Sequence, residues 1–204
     1  MSSNNNRAIV DVIIPAFNEE SSIAKVIEEI PNNEVREVIV VNNNSTDMTA
    51  ARAKNAGAVV LDEKKQGYGN ACLKGIDFLR NKEVKPDIVA FLDSDHSDKP
   101  EELPSILSPL KNNEADIVIG SRVLGNREIG SMLPQQIFGN RLATFLLRLF
   151  YGVKYTDLGP FRAITYEKLN AIGMKDRTYG WTVEMQSKAA KQQLIYKEVP
   201  VSYR

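Results

Sequence analysis

Short apolar runs alternate with helical patterns through the first 120 residues, and this alternation constrains the fold more than any other feature of the chain. Residues 9–15 form a near-continuous apolar run that ends at proline, which is typical of a strand buried on both faces. The alternation predicts a mostly parallel sheet flanked by helices, with right-handed crossovers. The strands predicted after the first lie at residues 35–41, 58–61, 88–92 and 116–120.

The pattern also predicts the helices between these strands and a less regular region after them. The first helix is expected to open at Asn18 and Glu19, because the following apolar positions fall on one helical stripe. A loop at residues 121–135 is long enough to be functional rather than a simple connection. The other predicted helices lie at residues 48–56, 67–80, 100–110, 137–151 and 182–191, and further strands at 161–166 and 194–201.

The composition is that of a single soluble domain. The 204 residues are long enough to bury one substantial core, and we expect residues 8–204 to form it after a disordered polar start at residues 1–7. Equal numbers of acidic and basic residues exclude the overall basic field that binds nucleic acid. The single cysteine excludes an internal disulfide, and no signal peptide or membrane span is present, so we expect a cytoplasmic location.

Asp93 and Asp95 stand one residue apart where the fourth predicted strand ends. Two carboxylates at that spacing raise each other's pKa unless a cation lies between them. Hard oxygen ligands suit Mg²⁺ or Mn²⁺, and Mg²⁺ commonly binds through one or two carboxylates together with substrate phosphates. The competing interpretation is a polar turn that caps the helix beginning near Pro100.

Polar clusters follow three of the predicted strands, at residues 15–19, 42–45 and 93–95. In open α/β sheets, ligands bind outside the carboxyl ends of the strands. We therefore expect the three clusters to converge on one edge of the sheet.

Seven short motifs occur in order along residues 8–204, and together they carry a resemblance that none carries alone. They lie at residues 12–20, 41–47, 67–71, 93–95, 120–122, 157–163 and 179–185. The series resembles glycosyltransferase family 2, and the last three motifs resemble its dolichyl- and polyprenyl-phosphate sugar transferases. The resemblance implies a glycosyltransferase-A fold: an α/β fold with a Rossmann-like, mostly parallel mixed sheet. It also implies a nucleotide-binding half at about 8–121 and an acceptor half at about 122–204.

The activity that the resemblance implies is an inverting, metal-dependent transfer from a UDP- or GDP-sugar. Asp95 is the expected ligand of Mg²⁺ or Mn²⁺, with Asp93 in support, because a cation stabilises the charge of the leaving diphosphate. Gly67 and Gly69 are expected to let the nucleotide approach the free N–H groups of a helix N-terminus. The expected donor-binding residues are Pro15, Ala16, Asn18, Glu19, Asn43, Gly67, Tyr68, Gly69 and Asp93.

Two departures from the family pattern weaken the expectation for the donor. Asn42 and Asn43 stand where the family often carries aspartate, so two amides replace carboxylates that bear on base recognition. Related chains commonly continue after the last strand with a basic segment that contacts the diphosphate, whereas this sequence ends at Arg204. If the whole protein includes such a segment, we expect residues 1–204 alone to bind the donor weakly.

The nature of the acceptor decides which further residues act. A sugar hydroxyl needs a positioned general base, for which Asp157 and Glu184 are candidates. A lipid phosphate is already anionic and needs cations instead, for which Arg122 is the candidate. We favour a polyprenyl phosphate, with a glycan hydroxyl in cell-envelope polysaccharide synthesis as the alternative. The expected catalytic residues are thus Asp93, Asp95, Arg122, Asp157 and Glu184, and Arg162 is expected to pair with Asp157.

Other features have two interpretations each. The helix at residues 137–151 is apolar with two arginines, so it either contacts the inner face of the cytoplasmic membrane or packs in the core. Tyr179 and Trp181 either form a platform for sugar or lipid or fill the core. The lone histidine, His96, is expected to be a solvent-facing turn residue.

Three other classes of protein compete with a glycosyltransferase. A sugar-phosphate nucleotidyltransferase needs a glycine-rich loop after the first strand, where this chain has Pro-Ala-Phe-Asn. A dinucleotide-dependent oxidoreductase needs Gly-x-Gly-x-x-Gly at the same turn, and the sequence lacks it there. A non-catalytic nucleotide-sugar-binding module of the same fold remains an alternative because of the departures described above.

Overall fold

The computed structural model describes residues 7–126 and 134–204, and its strands there form one sheet of seven in the order β3-β2-β1-β4-β6-β5-β7. The predicted disordered start, up to residue 6, and part of the predicted functional loop, residues 127–133, lie outside the described residues. The strands are β1 Val10–Ala16, β2 Glu37–Asn42, β3 Val59–Asp62, β4 Ile88–Phe91, β5 Ile117–Ser121, β6 Arg162–Thr165 and β7 Tyr196–Pro200.

The helices confirm most of the predicted pattern, with two differences. The first helix begins at Ile23, later than expected, because Asn18 adopts a left-handed conformation with φ of 54° and the chain then makes a turn before the helix. The helix Tyr166–Ile172 was not predicted; it is only seven residues long and buries only Leu169 and Ile172 fully. The helices are α1 Ile23–Glu29, α2 Thr49–Asn55, α3 Tyr68–Asn81, α4 Leu103–Lys111 (after a 3₁₀ turn at Pro100–Glu102), α5 Pro134–Tyr151, α6 Tyr166–Ile172 and α7 Trp181–Lys191.

The sheet is mixed because β6 runs against its neighbours. Strands β1 to β4 pair in parallel, as do β5 and β7, whereas β6 lies antiparallel between β4 and β5. In this register Arg162, the first residue of β6, stands beside Phe91, the last residue of β4. The segment before β6 therefore approaches the edge at which the parallel strands end.

Two apolar layers cover the two faces of the sheet. Every residue of β1 is buried, and alternate side chains such as Val12 and Ile13 enter opposite layers. One layer includes side chains of α1 and α4, and the other includes side chains of α3, α6 and α7. Burial of each aliphatic side chain of this size contributes about 1.5–3 kcal/mol, so the double-sided run fixes β1 in the interior of the sheet, with β2 and β4 on its two sides. Within the described ranges, no helix is both long and apolar enough to cross a membrane.

Candidate active site

A cavity of about 250 Å³ opens at the carboxyl ends of β1, β2 and β4. The three polar clusters predicted to converge each contribute to it, because the ends of parallel strands meet at one edge. Asn18 and Gly69 were expected among the lining residues but are not there, whereas Gln66 lines the cavity without having been expected. The lining consists of Pro15, Ala16, Phe17, Glu19, Asn43, Gln66, Gly67, Tyr68, Asp93, Ser94, Asp95 and Tyr179.

The two aspartates at the end of β4 have different surroundings. Asp93 is half-buried and accepts a hydrogen bond of 2.9 Å from the Tyr68 hydroxyl, whereas Asp95 is exposed. Burial and the charge of Asp95 raise the pKa of Asp93 to about 6, although the Tyr68 bond and the charge of Arg122 oppose this rise. Burial also raises the pKa of Tyr68, so its hydroxyl remains a donor.

The donor set at this position fits a hard divalent cation. Among the described residues no group of three or more acidic, histidine or cysteine side chains is arranged to hold a metal. Two carboxylates, completed by phosphate oxygens of a substrate, are the set with which Mg²⁺ usually binds. Asp95 Oδ1 also accepts the N–H of Ser97 at 2.9 Å, so the pair does begin a polar turn. The competing interpretation that this turn caps the helix near Pro100 is wrong, because no side chain caps the 3₁₀ helix there.

Asn43 shapes the cavity through hydrogen bonds to both polar atoms of its side-chain amide. Its Nδ2 donates to the carbonyls of Glu63 and Lys65 at 3.0 and 2.7 Å, and its Oδ1 accepts the N–H of Gly67 at 2.8 Å. These bonds fix the loop that leads into α3. The amide is therefore occupied by the protein, and Glu19 at the end of β1 is the lining carboxylate on this side, with Ser22 Oγ donating to it at 2.7 Å.

The glycines at the start of α3 allow a close approach of the protein's own backbone, whereas the sequence predicted a close approach of the nucleotide. A Cβ on Gly67 would lie 2.1 Å from the carbonyl oxygen of Arg177, and one on Gly69 would lie 2.2 Å from that of Asp176. The N–H of Gly69 donates to the carbonyl of Thr178 at 3.0 Å. The expected free N–H group at Gly69 is therefore already bonded within the protein.

Arg122 and Asp157 form a second cluster beside the aspartates, although neither lines the cavity. Arg122 Nε and Nη2 donate to the two carboxylate oxygens of Asp157 at 2.8 and 2.7 Å, and its backbone N–H donates to the same carboxylate. Burial lowers the pKa of Arg122, but Asp157 outweighs it and the pKa lies above its ordinary value. The expected pairing of Arg162 with Asp157 is wrong: the buried Arg162 donates to backbone carbonyls, including those of Leu158 and Thr182.

Glu184 lies away from the cavity and holds a turn of the backbone. It accepts the N–H groups of Lys175 and Asp176 at 3.0 and 2.7 Å, and Lys188 pairs with it at 2.8 Å. Burial raises the pKa of Glu184, but these bonds outweigh it and the pKa is lowered. Both carboxylates that the sequence offered as general bases are thus held in structural contacts.

The structure distinguishes between the two interpretations of Tyr179 and Trp181 and corrects the expectation for His96. Trp181 is buried and packs against Phe91 with ring centroids 6.0 Å apart, so it fills the core. Tyr179 is 89% exposed and lines the cavity. His96 is not a free turn residue, because its ring bonds Glu29 at 2.9 Å and contacts Arg204.

The fold and site define a class: an α/β enzyme domain with a glycosyltransferase-A fold and an acidic cavity at the ends of its parallel strands. Residues 11–173 match the family described as "Glycosyl transferase family 2". The chain therefore belongs to glycosyl transferase family 2.

The chain is similar to three named proteins, each over 95% or more of the chain's own length. The low-salt glycan biosynthesis hexosyltransferase Agl6 of Haloferax volcanii is 31% identical over 95% of the chain, which spans only 47% of that protein. The UDP-N-acetylglucosamine–dolichyl-phosphate N-acetylglucosaminyltransferase of Methanococcus voltae is 25% identical over 95% of the chain and 84% of its own length. Glucosyl-3-phosphoglycerate synthase of Mycobacterium tuberculosis, solved with Mn²⁺, UDP and product, superposes with a TM-score of 0.77 at 24% identity, over 97% of this chain and 71% of that one.

Proposed function

We propose that the protein is an inverting, metal-dependent glycosyltransferase that moves a sugar from a UDP- or GDP-sugar to a polyprenyl phosphate. The observation that carries the proposal is the pair Asp93 and Asp95 at the cavity, with Arg122 close enough to lower the pKa of Asp93. Mn²⁺ and UDP in the mycobacterial synthase, and the dolichyl phosphate in the name of the Methanococcus enzyme, support it.

On the donor side, the lining residues offer groups suited to a nucleoside diphosphate. Asp95 and Asp93 would hold Mg²⁺ or Mn²⁺, which would supply charge neutralisation for the leaving diphosphate. Asp95 is the more accessible of the two, because Tyr68 already bonds one oxygen of Asp93. The exposed ring of Tyr179 and the half-exposed ring of Phe17 lie at the cavity, where they would flank the base or sugar.

On the acceptor side, the contacts of the candidate residues favour a phosphate over a hydroxyl. A hydroxyl needs a general base within hydrogen-bond reach, and the candidates Asp157 and Glu184 are occupied by Arg122 and by backbone N–H groups. A phosphate needs only cations that hold it in place, and the Arg122 guanidinium retains N–H groups beyond the two that bond Asp157.

The outer face of α5 supports an acceptor that resides in a membrane. Its large apolar side chains are exposed along one stripe, whereas Leu147 packs inward. The helix also exposes Arg141 and Arg148 and contains no acidic residue. A second copy of the chain on this face would place arginines near arginines, whereas anionic lipid headgroups complement them, so we propose that α5 rests on an anionic bilayer. The exposed stripe consists of Phe138, Leu142, Phe145, Leu146, Leu149 and Phe150.

The test is a donor panel of UDP- and GDP-sugars with Mn²⁺, for which donor binding is measured by calorimetry and turnover is assayed separately with a polyprenyl phosphate, with a free glycan and with water as the only acceptor. We expect one donor to give transfer to the lipid well above hydrolysis. Transfer only to a free glycan hydroxyl would refute the acceptor. Nucleotide-sugar binding without turnover of any donor would identify a non-catalytic module.

A further inference from the structure

Arg122 is held in one orientation by contacts on two sides of its guanidinium group. Asp157 engages one edge through Nε and Nη2. The ring of Tyr203 covers a face, with its centroid 5.0 Å from Arg122 Cζ. A cation over an aromatic face at this distance gains about 0.5–2 kcal/mol, depending on its exposure to water. Two such contacts restrict a side chain that is otherwise among the most flexible.

Tyr203 is itself held firmly by its backbone. Its N–H donates to the carbonyl of Asn126 at 3.0 Å, and it forms an antiparallel bridge with Asp98. The neighbouring N–H of Arg204 donates to the carbonyl of Ser97 at 2.8 Å. The segment after β7 therefore links the chain just after the aspartate pair to the chain just after Arg122.

Strand β7 also supports Asp157, which together with the Tyr203 ring forms a clamp on the Arg122 guanidinium. Glu198 in β7 accepts the N–H groups of Thr156 and Asp157 at 2.8 and 3.2 Å. Gln186, which is fully buried in α7, donates to the carbonyl of Asp157 at 3.0 Å. Strand β7 and the segment that follows it thus position both the carboxylate and the ring that contact Arg122.

We propose that Tyr203 is a positioning residue that fixes the Arg122 guanidinium, so that its remaining N–H groups bind the phosphate of the acceptor. The link to acceptor binding rests on the proposed function; the clamp itself does not. Nothing in the sequence singled out Tyr203, because its contact with Arg122 spans most of the acceptor half of the chain. Its effect is expected on the acceptor KM rather than on donor binding, since Tyr203 does not line the cavity.

The clamp is tested without any substrate by NMR of protein labelled with ¹⁵N-arginine, in which Arg122→Lys assigns the Arg122 Nε–H signal. Tyr203→Leu removes the ring and should speed exchange of this proton with water by about tenfold, equivalent to roughly 1.4 kcal/mol. Tyr203→Phe keeps the ring and should exchange like the wild type. Tyr196→Leu is the matched control, because Tyr196 in β7 is also half-buried and stacks on another side chain, Tyr155.

The link to the acceptor is tested by steady-state kinetics of the same variants. Tyr203→Leu should raise the KM for the polyprenyl phosphate about tenfold and change kcat and the donor KM less than about twofold, and Tyr203→Phe should restore the wild-type KM. If Tyr203→Leu does not fold, Tyr203→Met removes the ring at a similar volume. Unchanged exchange in the leucine or methionine variant overturns the clamp. Faster exchange with an unchanged acceptor KM overturns the link. Absence of turnover in the wild type refutes the proposed function and leaves the NMR result to decide the clamp.

Discussion

The exposed face of α5 gives the most direct prediction about how the protein meets its acceptor. Phe145 and Leu149 lie one helical turn apart and are 60% and 64% exposed. Complete burial of such a side chain is worth about 1.5–3 kcal/mol, so the two exposed portions together are worth roughly 2–4 kcal/mol. Since about 1.4 kcal/mol is a factor of ten, we expect Phe145→Ser with Leu149→Ser to weaken vesicle binding by about 30- to 700-fold.

The assay is cosedimentation with phosphatidylcholine vesicles, with and without phosphatidylglycerol. The matched control is Val84→Ser with Ile195→Ser, because these side chains are 56% and 60% exposed but lie outside α5. Unchanged binding of the α5 variant, or an equal loss in the control pair, would refute the assignment of this face to lipid. A wild-type dimer that the α5 substitutions dissociate would show that a second copy covers the face.

Three further predictions concern the site. Asp95→Asn should reduce metal-dependent turnover by about 100-fold or more. The unfolding temperature should not change, because the carboxylate is exposed. Asp77→Asn, at an exposed position on α3, is the control, and equal turnover in both variants would exclude Asp95 as a metal ligand. Tyr68→Phe removes the 2.9 Å hydrogen bond from the Tyr68 hydroxyl to Asp93. A hydrogen bond to a charged group is worth about 1.5–3 kcal/mol, so UDP and Mn²⁺ should bind at least about tenfold more weakly in calorimetry. Asp98 is buried, and burial and Asp93 raise its pKa well above 3.8, so the folded state keeps a proton that the unfolded state loses and stability should fall as the pH rises above about 4. Asp98→Asn should make this fall smaller in urea titrations without metal, and the raised pKa of Asp93 accounts for the part that remains. A parallel pH dependence of both proteins would contradict the assignment.

The edge of the sheet that lines the cavity could be predicted because the sequence patterns that indicate it are local. A buried apolar run followed by polar residues gives a strand and its end, and parallel strands bring their ends together. This reasoning placed Asp93, Asn43 and Glu19 around one cavity. It could not assign their bonds, however, because the partners of Asn43 depend on the path of the loop at residues 63–67.

The contacts of residues 122–204 were harder to predict because they are long-range. Gly67 and Gly69 meet the backbone of residues 176–177, which lie more than 100 residues further along the chain. The Arg122–Asp157 pair joins residues 35 apart, because β6 runs antiparallel beside β5 and so brings the segment before β6 to the end of β5. No local spacing distinguishes Arg122 from Arg162 as the partner of Asp157, so the sequence favoured the nearer arginine.

The distribution of charge around the two aspartates explains why their position suits a cation and a phosphate together. Asp93, Asp95 and Asp98 interact with one another, and burial together with neighbouring carboxylates raises the pKa of Asp93 and Asp98. Arg122 lowers both values, but Asp157 already neutralises much of its charge. Among the described residues, the adjacent carboxylates of Asp93 and Asp95 thus give the end of β4 an excess of negative charge that the paired Arg122 offsets only in part. A divalent cation would relieve this excess, and only with that cation present would an anionic diphosphate be attracted rather than repelled. The donor should therefore bind the protein strongly only together with its metal.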